Sequence, residues 1–211
     1  MYTELIKYPD SVDSRLLNVL DFIMSQESLA AFALAGGTSL ALRFGHRSSE
    51  DLDCFSLEKF NSDALQAFIT DSFPDTQVLN RTAGSLCVEI HGLKVDFLHH
   101  PFPLLEKVDI SGQNRFLSVS DISAMKINAV TNRGSKKDFF DIYLLHTIGM
   151  SISADLENFR KKYNGNTLLA LRSLVWFEDA DAEPDPRILN GWTWDLVKTR
   201  ISELVDTIIV Q

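Results

Sequence analysis

The chain has 211 residues and a mass of 23.8 kDa, which suits one domain, or a core domain with a modest appendage, and excludes a repeat array. With 45% hydrophobic and 23% charged residues there is ample apolar surface for a packed core, so wholesale disorder is excluded. The formal net charge of -9 disfavours extensive contact with nucleic acid or an anionic membrane unless basic residues cluster locally.

The N-terminal segment is acidic and has no basic start, apolar core or small-residue cleavage site, so it does not read as a secretory signal. We therefore expect a cytoplasmic protein. The first predicted element is an amphipathic helix that Asp10 and Ser11 can cap and that ends near Gln26.

A strand, a glycine turn and a helix are predicted next. The apolar run Ala31 to Ala35 ends at Gly36 and Gly37, and Ser39 to Phe44 resembles the first turns of a helix. The apolar stretch that contains these elements, Leu29 to Leu42, is interrupted by polar and glycine residues and is shorter than the roughly 18 to 20 residues of a membrane span. No membrane partner is expected.

Three further strands and one helix are predicted before residue 100. Asp51 to Phe55 alternates as a strand does, a helix ends before Pro74, and Leu86 to Leu98 reads as two strands that meet at Gly92. In the last of these strands Lys94 and Asp96 face away from the apolar side chains. The two cysteines, Cys54 and Cys87, lie in strand-like runs without metal-ligand spacing and are predicted to be reduced and buried.

From Ser120 onward the pattern is helical. The predicted helices are Asp121 to Asn132, Asp138 to His146, Asp155 to Tyr163, Thr167 to Glu178, and Trp194 to Val210. The fold class is therefore α+β, with a mixed β-sheet and flanking helices over residues 1–118 and a helical C-terminal region packed on it over residues 119–211.

Two acids on one predicted strand are candidate metal ligands. Asp51 and Asp53 stand two residues apart, so both carboxylates project from the same face, and Asp96 on another strand can complete the set. Mg²⁺ or Mn²⁺ accepts carboxylate together with phosphate oxygens, and three acids can hold two such ions for phosphoryl or nucleotidyl transfer.

The turn at Gly36, Gly37, Thr38 and Ser39 can supply a phosphate site. Glycines permit a close backbone approach, and the N-terminus of the following helix offers unpaired N–H groups and a positive dipole end. Each of these features is common by itself, and it is their joint order along the chain that indicates a nucleotide site.

These residues resemble a known family. Ala35, Gly36 and Gly37, then Asp51 to Cys54, then Val95 to Phe97 match the polymerase-beta-like nucleotidyltransferase superfamily. More narrowly, the segments 34–55 and 118–146 are similar to the AbiEii/AbiGii toxin family of bacterial nucleotidyltransferases. The resemblance implies a nucleotidyltransferase-like sheet, a catalytic metal site at Asp51, Asp53 and Asp96, and NTP as substrate.

The resemblance also implies functional groups on the helices after Ser120. Lys126 is the implied catalytic lysine, and Lys137, Asp138 and Asp141 complete the nucleotide site. Two local alternatives stay open: Lys126 can extend from a helix side towards solvent, and Ser135 with Asp138 can form a helix cap.

Basic residues near these positions allow two interpretations. The stretch 122–137 contains Lys126, Arg133, Lys136 and Lys137 and no acid before Asp138, so it can hold triphosphate or RNA backbone, or can be a solvated helix end. Arg47 can contact phosphate or pair with Glu50.

The resulting hypothesis is a metal-dependent nucleotidyltransferase that moves a nucleoside monophosphate from an NTP to an acceptor hydroxyl, with the 3′ end of tRNA as one candidate acceptor. The resemblance implies the toxin of a toxin–antitoxin or phage-defence system, with a separate cognate antitoxin protein as partner. Transfer to a protein or a small molecule, a non-catalytic nucleotide-binding module and a two-metal phosphohydrolase stay open as alternatives.

Overall fold

The chain forms two compact units in the computed structural model, which describes residues 4–209. The sheet unit comprises the chain up to Gly45, Ser49–Pro103 and Val108–Leu117. The helical unit comprises His46–Ser48, Leu104–Lys107 and the chain from Ser118 onward. Each unit has its own hydrophobic core, so each is described by itself.

The sheet unit is built on a mixed sheet, as predicted, and this sheet has seven strands. Its strands are β1 (Phe32–Leu34), β2 (Leu52–Ser56), β3 (Gln77–Thr82), β4 (Ser85–Ile90), β5 (Leu93–His99), β6 (Asp109–Ser111) and β7 (Asn114–Phe116). Their order across the sheet is β3-β4-β5-β2-β1-β7-β6. Strands β2 and β5 run parallel, as do β1 and β7, and the other neighbours are antiparallel.

The predicted alternation of the strands is confirmed. Leu86, Val88 and Ile90 of β4 are fully buried, Leu93, Val95 and Phe97 of β5 are buried, and Lys94 is exposed. On β2, Leu52 and Cys54 face the core. Because successive side chains of a strand point to opposite faces, the intervening polar side chains lie on the other, less buried face of the sheet.

The helices of the sheet unit differ from the prediction at their starts. They are α1 (Ser14–Ser25), α2 (Gly36–Phe44) and α3 (Ser62–Ser72). Asp13 caps α1 by accepting a hydrogen bond from the Arg15 N–H. The predicted caps, Asp10 and Ser11, do not cap α1, because they lie in a separate 3-10 turn before it. Helix α2 begins at Gly36, so the predicted glycine turn is its first turn.

The helical unit contains α4 (Val119–Asn132), α5 (Lys136–Thr147), α6 (Ile152–Tyr163), α7 (Thr167–Leu174), α8 (Glu178–Asp181) and α9 (Trp194–Ile209). The predicted end of the last helix, Val210, lies outside the described residues. Helix α7 stops four residues before the predicted Glu178, which instead begins α8. Side chains of α4, α5, α6, α7 and α9 share one apolar core, including Ile127, Phe139, Phe159 and Val197.

Two further predictions can be compared with the described part of the chain. No helix within residues 4–209 is long and apolar enough to span a bilayer. Both cysteines are free thiols, as predicted, and Cys54 is buried. Cys87 is only half-buried, because it lies on the polar face of β4.

A buried carboxyl in the helical unit makes folding stability depend on pH. Asp155, near the start of α6, is fully buried, and its Oδ1 accepts a hydrogen bond from the Ser123 hydroxyl. Its Oδ2 has no hydrogen-bond partner among the described residues. Burial raises the pKa of Asp155 to about 6, and the Ser123 hydrogen bond offsets this only partly.

We expect Asp155→Asn to gain stability relative to the wild type as the pH rises. Because the folded-state pKa lies above the unfolded value of about 3.9, the wild type loses about 2 to 3 kcal/mol between roughly pH 4 and pH 6. Asparagine cannot ionise and avoids this loss. Urea unfolding at pH 4 and pH 7 measures the change, with Asp206→Asn on exposed α9 surface as control. A stability difference that is the same at both pH values would contradict the expectation.

Candidate functional site

Two of the predicted carboxylates lie side by side on neighbouring strands. Asp53 of β2 and Asp96 of β5 are register partners in the parallel pair, so their side chains project from the same face. Both are half-buried, while Leu52, Cys54, Val95 and Phe97 around them face the core. The hydrophobic alternation of the two strands therefore positions the two acids.

Asp51 lies just before β2 and on the same side of the sheet. Its charge acts on Lys94 and Cys87, both of which flank Asp96 on the polar face. The backbone at Asp51 is held by α2, because the Thr38 hydroxyl contacts the Asp51 carbonyl oxygen and, at 2.7 Å, Ser49 Oγ. The three predicted acids thus lie in one region of the sheet unit.

The first turn of α2 lies directly against Asp53. Gly36 has a positive φ of 65°, and a Cβ added there would overlap the Asp53 Oδ2 atom. The Ala35 N–H also donates to the Asp53 carbonyl oxygen at 2.9 Å. Only glycine permits this close approach, which explains why the sequence has glycine at this position.

The N-terminus of α2 has features of an anion site. Its N-cap, Ala35, has no side chain that can accept from the first N–H groups. The buried Ser39 Oγ also has no hydrogen-bond partner among residues 4–209. Gly36, Gly37, Thr38 and Ser39 are all buried, and the Thr38 hydroxyl is engaged by protein atoms.

Two side chains that sequence reasoning did not select contact Asp96. Lys94 Nζ lies 2.6 Å from Asp96 Oδ2. Cys87 is the register partner of Asp96 on β4, and burial with the hydrogen bond to Asp96 raises the pKa of its thiol to about 11. Cys87 and Lys94 alternate with buried apolar residues along β4 and β5. This alternation is the sequence pattern that could have placed both side chains on the same face as Asp96.

The carboxylates fit a divalent cation in donor chemistry, because they are hard oxygen donors gathered on one polar face. They are not assembled as a coordination shell. Among the residues that the structure describes, no three His, Cys, Asp or Glu side chains are grouped closely enough to hold a metal ion. The expectation that Asp51, Asp53 and Asp96 hold Mg²⁺ or Mn²⁺ stays a prediction.

The remaining predicted site residues lie in the helical unit, where most of them form a buried ionic cluster. Lys126 of α4 is 5% exposed, and its Nζ lies 2.8 Å from Asp138 Oδ1 and 2.6 Å from Asp141 Oδ2. Asp138 and Asp141 occupy one side of α5, three residues apart, and neither is exposed. Lys126 therefore does not extend to solvent, and the helix-side alternative for it was wrong.

Arg47 and His46 complete this cluster from the short segment before β2. Arg47 donates from Nε at 2.7 Å and from Nη2 at 2.8 Å to the two oxygens of Asp141. His46 Nε2 lies 2.7 Å from Asp141 Oδ1. Sequence reasoning considered Glu50 as a partner for Arg47, and Asp141, 94 residues away, was missed.

The buried charges shift one another's pKa. Burial alone would raise the pKa of Asp141, but the charges of Arg47 and Lys126 and the hydrogen bonds from His46 and Arg47 hold it well below its ordinary value. Burial lowers the pKa of His46, and the hydrogen bond to Asp141 offsets this only in part. Asp141 is therefore ionised and His46 neutral at pH 7.

Two predicted residues at the start of α5 behave differently from the cluster core. Lys137, the second residue of α5, is exposed. Ser135 is the N-cap of α5 but makes no side-chain cap, because its hydroxyl donates to Glu183 at 2.8 Å. Arg133 lies 3.0 Å from Asp138, with its own side chain 61% exposed.

Comparison with known proteins identifies the family. The sequence profile described as "Nucleotidyl transferase AbiEii toxin, Type IV TA system" matches residues 21–92, which include the first turn of α2 and the Asp51–Asp53 pair. A protein of Aquifex aeolicus (strain VF5), described as uncharacterized, is 35% identical over 186 residues, or 83% of this chain and 88% of that protein. The chain belongs to the AbiEii nucleotidyl transferase toxin family. The family resemblance predicted from the sequence is confirmed.

Membership in the AbiEii family makes this chain a nucleotidyltransferase of the toxin class of type IV toxin–antitoxin systems. The matched residues stop before Asp96 and before α4 and α5. The family match therefore covers neither Asp96 nor the helices that carry the buried ionic cluster.

Two solved structures have a fold similar to that of this chain. JHP933 from Helicobacter pylori matches with a TM-score of 0.54 at 17% identity, over 93% of each chain. MenT4, the nucleotidyltransferase toxin Rv2826c from Mycobacterium tuberculosis H37Rv, matches with a TM-score of 0.52 at 17% identity, over 90% of this chain and 83% of that one. At this identity the likeness shows the fold alone.

The contact between Gly36 and Asp53 leads to a testable expectation. We expect Gly36→Ala to lower nucleotidyltransferase activity about 100-fold, because the added Cβ displaces the Asp53 carboxylate. We also expect a loss of about 1 kcal/mol of folding stability from the positive φ. Gly92→Ala is the matched control, since Gly92 has a φ of 75° and nothing within 4 Å of an added Cβ. Equal activity of the two variants would contradict the role of Gly36.

Proposed function

We propose that this chain transfers a nucleoside monophosphate from an NTP to an acceptor hydroxyl, with Asp51, Asp53 and Asp96 as metal-binding catalytic residues. One observation carries the proposal: Asp53 is paired with Asp96 on the neighbouring strand and lies directly against the first turn of α2. A helix N-terminus beside two carboxylates can hold phosphate and cation together.

In the proposed reaction the acceptor oxygen attacks the α-phosphorus, the bond to the bridging oxygen breaks, and pyrophosphate leaves. The hydroxyl proton passes to one of the carboxylates of Asp51, Asp53 and Asp96. When bound, Mg²⁺ or Mn²⁺ neutralises triphosphate charge and lowers the pKa of the attacking hydroxyl. The uncapped N-terminus of α2 at Gly36, Gly37, Thr38 and Ser39 favours the phosphates through its dipole.

We further propose that the buried ionic cluster contributes to nucleotide binding, with Lys126 as its catalytic lysine. Arg47, Lys126 and Arg133 carry three positive charges, against two negative charges on Asp138 and Asp141. The exposed Lys137 adds a further cation. This concentration of cations, in a chain with a net charge of -9, is what supports a triphosphate role.

For the acceptor we propose the 3′ hydroxyl of tRNA. The acidic net charge favours an acceptor that enters by its end rather than along its length, because every further phosphate contact would need a cation. A cognate antitoxin protein is the proposed biological partner, as in other type IV systems.

The test is to incubate the protein with Mg²⁺, one α-labelled NTP at a time, and a mixture of tRNA, protein and small-molecule acceptors. Label at the tRNA 3′ end supports the proposal, and the most effective NTP identifies the base preference. Label on protein or a small molecule would replace the acceptor and keep the reaction. Release of inorganic phosphate would indicate a phosphohydrolase, and nucleotide binding without turnover would indicate a non-catalytic module.

A further inference from the structure

Lys94 lies within the carboxylate cluster of the sheet unit. It precedes Asp96 by two residues on β5, so the two side chains share the polar face, and Nζ lies 2.6 Å from Asp96 Oδ2. The Asp96 side chain is only 13% exposed, whereas that of Lys94 is 48% exposed. The Lys94 ammonium group therefore contacts an oxygen of the more buried Asp96 carboxylate, while the rest of the Lys94 side chain is partly exposed to solvent.

A second acid adds to this attraction, because the charge of Asp51 acts on Lys94 from the start of β2. The hydrogen bond to Asp96 raises the pKa of Lys94, partial burial acts against this, and the charges of Asp96 and Asp51 reinforce it. Lys94 thus interacts with the carboxylates of Asp96 and Asp51.

The Lys94 contact bears on how a cation would enter. Within residues 4–209, the acids of this face are not grouped as a coordination shell. Neighbouring carboxylates repel one another unless a cation lies among them. In this structure, Lys94 supplies positive charge at Asp96, which is the carboxylate that a divalent ion would also require.

We propose that Lys94 is a positioning residue that acts as an internal counter-cation for Asp96, and that a divalent cation must displace its ammonium group to reach that carboxylate. This inference rests on the proposed function of Asp51, Asp53 and Asp96. It makes the Lys94–Asp96 ion pair and cation binding mutually exclusive at Asp96, so the two are competing equilibria.

The competition has a distinctive consequence for Lys94→Gln. Glutamine keeps most of the length of the side chain and removes the charge. The Mn²⁺ dissociation constant should fall about two- to fivefold, the factor expected when a partly exposed ion pair no longer has to be broken. The melting temperature of the metal-free variant in EDTA should fall, because the acids then repel one another unscreened. A side chain with a merely structural role would not tighten Mn²⁺ binding.

The experiment titrates the full metal-free chain with Mn²⁺ and follows the free ion by electron paramagnetic resonance. Lys94→Gln is compared with the wild type and with Lys59→Gln, an exposed lysine of the same unit that gives the same change in net charge. Lys94→Arg retains the charge and should bind no more tightly than the wild type. We expect tighter binding for Lys94→Gln alone, and loss of that binding when Asp53→Asn is added.

The outcomes separate this inference from the proposed function. If the wild type binds Mn²⁺ in a manner that depends on Asp53, and Lys94→Gln binds equally or more weakly, the inference is wrong and the metal site stands. Tightening by Lys59→Gln to the same extent would also overturn it, since net charge would then be the cause. If neither the wild type nor Lys94→Gln binds Mn²⁺, both fail. Binding by Lys94→Gln but not by the wild type would support both.

Discussion

Asp53→Asn is expected to lower nucleotidyl transfer by about 10³-fold or more while the protein stays folded. Asp53 is the acid that both pairs with Asp96 across the parallel strands and lies against Gly36. Asparagine keeps the shape of the side chain but removes the charge that a divalent cation requires. Since removing one of several neighbouring like charges also relieves repulsion, we expect folding stability to change by no more than about 1 kcal/mol.

The measurement is the initial rate of label transfer at saturating Mg²⁺, together with the urea midpoint of the same preparation. Asp71→Asn is the matched control, because Asp71 is an exposed acid on α3 of the same unit and the substitution makes the same change in charge. Transfer by Asp53→Asn at more than about a tenth of the wild-type rate would remove the metal assignment. A lowered urea midpoint would instead show a structural role.

The second large effect is expected for Asp141→Asn, which should lower the free energy of unfolding by about 3 to 5 kcal/mol. Asp141 is fully buried and faces Arg47, His46 and Lys126 at 2.6 to 2.8 Å. Asparagine would leave Arg47 and Lys126 buried with less compensating charge. Because small domains are stable by only about 5 to 15 kcal/mol, this is a large fraction of the total.

The pH dependence gives the sign of the Asp141 effect. The pKa of Asp141 lies well below its ordinary value in the folded state, so its stabilisation is present above the unfolded-state pKa of about 3.9 and is lost as the pH falls. The asparagine variant lacks this stabilisation at every pH. We therefore expect the difference in stability between the wild type and the variant to shrink as the pH is lowered below about 3.9.

Urea unfolding between pH 3 and pH 7 provides this comparison, and Asp138→Asn is the control. Asp138 is also buried on α5, but one of its two cations, Arg133, is largely exposed and can be solvated once released. The Asp138 variant should therefore lose less stability than the Asp141 variant. Equal losses, or a difference between wild type and Asp141→Asn that does not shrink in acid, would contradict the view that Asp141 is the central anion of the cluster.

The same geometry changes the expectation for Lys126. The family resemblance implies that Lys126 is the catalytic lysine. With Lys126 almost fully buried between Asp138 and Asp141, its removal would leave two buried carboxylates without their shared cation. Stability therefore has to be measured alongside kinetics before a loss of activity in any Lys126 variant is assigned to the triphosphate.

The parts of the fold that could be predicted are those with a strong local pattern. Alternation in β4 and β5 correctly predicted which side chains are buried and that Lys94 and Asp96 lie opposite them. Strand β3 was missed because its residues are exposed throughout, which leaves no alternation to detect. Strands β6 and β7 were missed because their three residues each are mostly polar, whereas the three residues of β1 lie in an apolar run that ends at a glycine.

The sequence predicted which residues belong to the candidate site better than it predicted which of them contact one another. Asp51, Asp53 and Gly36 follow from motif order, and the structure places them in one region of the sheet unit. The pairing of Arg47 with Asp141 spans 94 residues of sequence, so no local rule could connect them. The Lys94 contact with Asp96 is local, but the alternation argument only placed the two on one face and did not separate an ion pair from two solvated side chains.

The segment His46–Ser48 belongs to the helical unit although the chain on both sides of it belongs to the sheet unit. A gene fragment that starts at Ser118 would encode Asp141 and Lys126 without His46 and Arg47. Such a fragment would carry an anion that has lost a bidentate partner, so we expect it to express poorly. Recombination with a single crossover near Ser118 would likewise separate Arg47 from Asp141, and the two would have to be inherited together.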